Sequence, residues 1–421
     1  MPKIRTARRD WLRAAAAATL ASALPRRVRS AESAQVVVVG GGFGGATAAK
    51  YVRKESAGAV GVTLVERETA FVSCPLSNLV VGGMRPIEDL TVRYDGLERW
   101  GVRRITAHAA ELDPVGRKLT LAGGQALGYD RLILAPGMDF DYGALPSLDA
   151  AAQEKVLHAW KAGPQTVALW RQLEAMPDGG VFVMHIPLAP YRCPPAPYER
   201  ACLVARYLST HKKRSKLIVL DANDDVLAEK ALFVAAWNGP YKGYVDYRPR
   251  TELVDVDVAT LTAKCEFEDI KADVLNVIPP QRAGAIARTA GLANANARFC
   301  EVDFLTYEST AQRNVHVVGD AVQPASLMPR SGHMANQQAK VCAAAVLALV
   351  TGGSVNPAPV LTSACYSYLS EREVAHIAAT LRYDASARTM VVAAGGSPAA
   401  NVEDATAAEA WARTIWADAL G

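Results

Sequence analysis

Val36-Val37-Val38-Val39-Gly40-Gly41-Gly42-Phe43-Gly44-Gly45 is the stretch whose reading decides the fold. A run of β-branched residues is a strand buried on both faces, and the glycines after it make a tight turn into a helix beginning near Ala46. Gly40, Gly42 and Gly45 carry the spacing G-x-G-x-x-G. The first glycine permits the turn, the second lets a pyrophosphate approach the backbone, and the third lets helix and strand pack closely. The helix N-terminus then offers free N–H groups and a partial positive charge to phosphates. A second apolar strand, Val62-Thr63-Leu64-Val65, ends in Glu66, where a carboxylate can accept ribose hydroxyls. This context makes the turn an adenine dinucleotide site rather than a plain glycine loop.

Working outward, the 421 residues suffice for a large core divided into two or three domains. A net charge of +4, with no basic block interleaved with aromatics, argues against nucleic acid as a partner. Half the residues are apolar, yet no run reaches the roughly eighteen needed for a spanning helix.

Residues 1–33 read as a targeting segment. Arg8-Arg9-Asp10-Trp11-Leu12-Arg13 precedes an alanine-rich apolar run from Ala14 to Leu24 and resembles a twin-arginine signal. Cleavage after Ser33 leaves small residues at the recognition positions, and Ala23 fits as well. The mature chain is then expected in the periplasm. That compartment permits disulfides among the seven cysteines, none of which forms a C-x-x-C pair.

Further along, Arg131-Leu132-Ile133-Leu134-Ala135-Pro136-Gly137 is an apolar strand ending in a small-residue turn. Val315-His316-Val317-Val318-Gly319-Asp320 repeats the pattern of strand, glycine and acid. His333, at the head of an alanine-rich helix, reads as a capping or packing residue in preference to a catalytic one. Between these segments, the strand around Val181-Phe182-Val183-Met184-His185 and the strand Lys216-Leu217-Ile218-Val219-Leu220-Asp221 have dinucleotide-fold topology. The connecting turn, Ile186 to Pro197, has no glycine, and its prolines lack N–H groups for a pyrophosphate, which disfavours a nicotinamide cofactor.

Ser73-Cys74-Pro75-Leu76-Ser77-Asn78, Arg192-Cys193-Pro194-Pro195-Ala196-Pro197-Tyr198-Glu199-Arg200 and Ala364-Cys365-Tyr366-Ser367 give the chain a specific likeness. It resembles the flavoprotein subunit of flavocytochrome c sulfide dehydrogenase, in the group that also contains sulfide:quinone oxidoreductases. The resemblance implies an α/β fold with two dinucleotide-binding (Rossmann-like) domains of the disulfide-reductase type and a C-terminal α+β interface domain. On this division residues 34–144 and 272–352 form the FAD-binding domain. Residues 145–271 form the second Rossmann-like domain, without a nicotinamide phosphate loop, and residues 353–421 form the interface domain. The resemblance further implies FAD held covalently through Cys74, with Asp320 on the ribityl chain, and a redox-active disulfide between Cys193 and Cys365. A separate c-type cytochrome subunit is the implied electron acceptor, and Trp411 or Trp416 either packs in the core or lines that contact.

The chemistry agrees with these roles. Oxidising sulfide to zero-valent sulfur removes two electrons, and a thiolate attacking a disulfide is a direct way to begin. A flavin takes electrons in pairs and releases them singly. Glu199, in the first turn of the helix that Pro197 starts, is either a base for hydrosulfide or a carboxylate favoured by the helix dipole. Cys202 and Cys342 read as buried small apolar residues, and Cys265 and Cys300 carry no motif. A purely structural bridge between Cys193 and Cys365, and a free buried thiol at Cys74, are the plain alternatives. At the level of function, the alternatives are a sulfide:quinone oxidoreductase on the membrane surface and a non-catalytic flavin-binding protein.

Overall fold

A computed structural model describes residues 34–397 and 399–421. The expected twin-arginine signal, 1–33, lies outside the described residues. The valine run forms the strand Gln35–Val39, with Val36 to Val39 buried. It is the middle strand of a five-stranded parallel sheet in the order Val315–Val317, Arg131–Leu134, Gln35–Val39, Gly61–Glu66, Arg103–Thr106. A central strand of a parallel sheet is covered by helices on both faces, which is why it reads as a continuous apolar run.

The helix after the turn spans Phe43–Glu55, three residues earlier than the expected start at Ala46. Glycine is a poor helix former, so propensity places Gly44 and Gly45 outside the helix. Packing overrides it, because a Cβ on Gly44 would sit 3.2 Å from Val318 Cγ2. Helix Gly332–Thr351 lies alongside, tied by the buried bond from Asn336 Nδ2 to Thr47 Oγ1 at 2.9 Å.

The second parallel sheet has the order Val245–Arg248, Lys216–Asp221, Val181–Ile186, Val274–Val277. Its fourth strand lies beyond residue 271, so the second Rossmann-like unit extends past the expected boundary. The cause is non-local: Val274–Val277 pairs with a strand about ninety residues upstream, a register that sequence spacing does not announce. The C-terminal unit is an antiparallel sheet of Val360–Tyr368, Val374–Asp384 and Thr389–Gly396, closed by helix Val402–Leu420. These strands are 9, 11 and 8 residues long. Among the described residues, no helix is long and apolar enough to cross a membrane.

Candidate active site

The glycine turn forms the floor of a cleft. Gly40 has φ +96°, and a Cβ there would lie 2.2 Å from the Ala135 carbonyl oxygen. A Cβ on Gly45 would lie 1.8 Å from the Gly40 carbonyl oxygen, so strand and helix meet only because both residues are glycine. A Cβ on Gly42 would meet nothing within 4 Å. Gly42 instead faces a cleft of about 450 Å³, lined also by Gly40, Glu66, Ala135 and Gly137. The Glu66 carboxylate accepts from the N–H groups of Gly41 and Glu68, and its remaining lone pairs are available to hydroxyl groups.

This cleft runs into a compartment of about 160 Å³ lined by Phe43, Cys74, Gly319 and Asp320. The two share Gly42, Ala135, Gly137 and Arg192 and make one trench. A glycine cradle at a helix start, a carboxylate after the second strand and an elongated trench fit FAD. Asp320 lies in the turn Gly319–Ala321 and forms an ion pair with Arg192 Nη1 at 3.6 Å. Gly319 has φ +79°, and its N–H donates to Gln338 Oε1 at 2.8 Å. Asp320 does not cap the next helix; Ser331 does, its hydroxyl accepting from the Met334 N–H at 3.1 Å.

Beyond the trench is a smaller cavity of about 80 Å³. Cys74, Cys193, Cys365 and Glu199 all line it, together with Arg192, Arg200, Trp160, Tyr366 and Trp411. The trench compartment and this cavity share Cys74, Pro75, Arg192 and Gly332. Three thiols therefore converge from three elements. Cys74 follows strand Ala70–Val72, Cys365 lies within strand Val360–Tyr368, and Cys193 sits in the proline loop before helix Ala196–His211. Cys193 takes a left-handed conformation, φ +55°, and its N–H donates to the Arg330 carbonyl at 2.8 Å. A non-glycine residue held there is a strained position of the kind that clusters at functional sites. All seven cysteines are free thiols in the structure, including Cys193 and Cys365, so the fold brings these two residues to one cavity without the bond implied by the resemblance.

Electrostatics distinguish the groups in this cavity. Burial raises the Glu199 carboxyl to about 7, although Asn78 Nδ2 at 2.9 Å and the Tyr368 N–H at 3.3 Å favour its anion. Burial also pushes the Cys193 thiol well up, reinforced by Cys365 and Glu199, and raises Cys365 to about 11. Arg200 is fully buried, and burial lowers it to about 9. It is held by Asn78 Oδ1, Asn276 Oδ1 and the carbonyls of His158 and Ala159.

Sequence reading quoted Asn78, Arg192 and Arg200 within motifs but gave them no role, because their roles depend on burial and on partners from other elements. His333 is the packing residue expected: its Nδ1 accepts from the Ala364 N–H at 2.9 Å and from Trp411 Nε1 at 3.4 Å. Trp411 lines the thiol cavity, and Trp416 Nε1 donates to Ser73 Oγ at 3.0 Å, so both face inward. Cys202, Cys300 and Cys342 are buried, and Cys265 is half-buried.

The glycine-free turn of the second sheet is closed by its own side chains. Asp221 accepts from Tyr198 and Tyr247 hydroxyls, each at 2.9 Å, and from Asn223 N at 3.0 Å and Nδ2 at 2.7 Å. The Asn223 amide in turn donates to the Pro187 carbonyl at 3.0 Å.

Residues 34–161 match the family described as pyridine nucleotide-disulphide oxidoreductase. Residues 166–279 match the central part of the sulfide dehydrogenase (flavocytochrome c) flavoprotein chain, and residues 357–420 match flavocytochrome c sulphide dehydrogenase, flavin-binding. The sulfide dehydrogenase flavoprotein chain of Chlorobaculum thiosulfatiphilum is 65% identical over 46 residues, 11% of this chain and 94% of that sequence. Mitochondrial sulfide:quinone oxidoreductase of Mus musculus is 25% identical over 303 residues, 68% of this chain and just under two thirds, 65%, of the mouse enzyme. Among solved structures, sulfide:quinone oxidoreductase from Aquifex aeolicus superposes with a TM-score of 0.71 at 18% identity, covering 92% of each chain.

Proposed function

The chain belongs to the family of the flavoprotein chain of flavocytochrome c sulfide dehydrogenase, and from that premise we propose that it oxidises sulfide to zero-valent sulfur with FAD as cofactor and passes electrons singly to a separate c-type cytochrome subunit. One observation carries this reading: Cys193, Cys365 and Glu199 line a cavity that shares Cys74 with the dinucleotide trench.

Gly40, Gly42, Gly45, Glu66, Gly319 and Asp320 would hold FAD, and Cys74 would form its thioether. The bound cofactor supplies a two-electron sink with a one-electron outlet. The protein's own residues begin the reaction. Cys193 and Cys365 are joined in the oxidised enzyme, and Glu199, with its midpoint near 7, takes the proton of hydrogen sulfide. Hydrosulfide attacks one sulfur of the bridge; a new S–S bond forms as the old one breaks, and the bond's electron pair leaves on the other sulfur as thiolate. One cysteine is then a persulfide and its partner is the thiolate. The twin-arginine reading of 1–33 places the enzyme in the periplasm, where such a cytochrome resides.

Likeness to the mouse and Aquifex aeolicus enzymes favours a second reading, with a quinone as acceptor. Purified protein assayed with sulfide and either cytochrome c or a soluble quinone separates the two. Reduction of cytochrome c that is abolished by Cys193→Ser and by Cys365→Ser is the expected result. Turnover with quinone alone would transfer the function to the second reading, and undiminished turnover in both serine variants would overturn the disulfide chemistry. Acid precipitation tests the thioether, since covalent flavin stays with the pellet and Cys74→Ala releases it.

A further inference from the structure

Arg192 is the residue common to the cleft, the trench compartment and the thiol cavity. It immediately precedes Cys193 in the proline loop, its backbone N–H is fixed by Gln281 Oε1 at 2.8 Å, and its guanidinium lies beside Asp320 at 3.6 Å. We propose that Arg192 is the counter-ion of the thiolate that forms at Cys193 when the bridge opens, held between the two compartments by its pairing with Asp320.

A buried thiolate needs a nearby positive charge. The titratable and charged groups facing Cys193 are Tyr191 and Arg192 from its own loop, Glu199 from helix Ala196–His211, and Cys365 from strand Val360–Tyr368. Glu199 and Cys365 disfavour a thiolate there, and the cation opposing them is Arg192. Arg200 also lines the cavity, but it is committed to the scaffold through Asn78, Asn276 and two carbonyls. The Arg192 side chain donates to the Trp160 carbonyl, pairs with Asp320, and faces Cys74 as well as Cys193, so peptide mass must assign each alkylated thiol. This inference takes from the sulfide reading the event that generates the thiolate; the charge pairing itself concerns the chain's own atoms.

The test is the pH dependence of iodoacetamide alkylation at Cys193 in the reduced full-length protein, followed by peptide mass, which requires neither sulfide nor turnover. Arg192→Met is expected to move the alkylation midpoint up by at least about one pH unit and to slow labelling about tenfold below that midpoint. Arg192→Lys should restore most of the effect. Asp320→Asn keeps the guanidinium, removes its competing carboxylate and should move the midpoint down, so the electrostatics are read even if Arg192→Met fails to fold. Unchanged midpoints, or a lysine variant displaced as far as the methionine variant, would overturn the proposal. Cytochrome reduction by the wild-type protein is scored separately. An Arg192-dependent midpoint in a protein that does not oxidise sulfide supports the counter-ion and sinks the sulfide reading.

Discussion

Asn78 donates its side-chain amide to the Glu199 carboxylate at 2.9 Å and accepts from Arg200 Nε at the same distance. One neutral side chain thus joins the carboxylate of the thiol cavity to a fully buried guanidinium. Burial drives Glu199 toward its neutral form, and the Asn78 bond pulls the other way.

Asn78→Ala is therefore expected to raise the midpoint of Glu199 above about 7. A hydrogen bond to a charged group contributes roughly 1.5 kcal/mol or more, equivalent to about one pH unit. The acid limb of kcat/KM for sulfide should move to higher pH by about that amount, with turnover recovering in alkaline buffer. Comparing variant and wild type over one pH series cancels the titration of sulfide itself. An unshifted limb would remove Glu199 from the role of base.

The same raised midpoint has a stability consequence of definite sign. Folded Glu199 titrates near 7 and the ordinary value is 4.5, so between these values the folded chain binds more protons than the unfolded chain. Stability then falls as pH rises through that window. Glu199→Gln lacks this loss, so its stability relative to wild type should improve by up to roughly 3 kcal/mol between pH 4.5 and pH 8. Denaturant melts of the two proteins at both pH values check this, and a difference independent of pH would contradict it.

How much of this was legible in the sequence depended on whether the determinant was local. The valine strand and its turn were readable because the apolar run and the glycine spacing are local, and Gly45 is demanded by the Gly40 carbonyl five residues earlier, whereas the Ala135 carbonyl that demands Gly40 comes from a distant strand. The absent phosphate loop after Val181–Ile186 was readable for the same reason. The approach of Cys193 and Cys365 to one cavity was not, since one lies in a loop of the second Rossmann-like unit and the other in a C-terminal strand, and no spacing rule joins them. Only the resemblance to a known family placed them together. Asn78 and Arg200 were invisible as functional residues because a polar side chain gains its role here from burial against partners up to about 120 residues away.

The glycines of the turn separate folding from cofactor binding. Gly45→Ala drives a Cβ to within 1.8 Å of the Gly40 carbonyl oxygen, so strand or helix must move. Overpacking of this kind costs on the order of 1–3 kcal/mol or more, and the variant should melt earlier even without FAD. A methyl group on Gly42 projects into the cleft with no protein atom within 4 Å, and its backbone φ of −71° suits any residue. Gly42→Ala should therefore keep the melting temperature of the FAD-free chain while weakening FAD affinity. Thermal melts of apoprotein and titration with FAD read the two effects independently, and a Gly42 variant with wild-type affinity would remove the pyrophosphate from this turn.

The second Rossmann-like unit gives the opposite expectation for a nicotinamide cofactor. In a functional site the acid ending the second strand must offer its oxygens to ribose hydroxyls. Asp221 occupies that place but is fully buried and already accepts four hydrogen bonds, two from tyrosine hydroxyls and two from Asn223. A carboxylate has about four lone-pair sites, so none remains for a ribose. The preceding turn offers proline instead of glycine N–H groups. NADH at millimolar concentration should therefore fail to bleach the flavin of the purified protein, whereas sulfide, on the proposed function, should bleach it. Tyr198→Phe with Tyr247→Phe would free one side of Asp221 yet leave the proline turn, so this double variant should remain unresponsive to NADH. Bleaching in that variant would show that the carboxylate, and not the turn, is what closes the site.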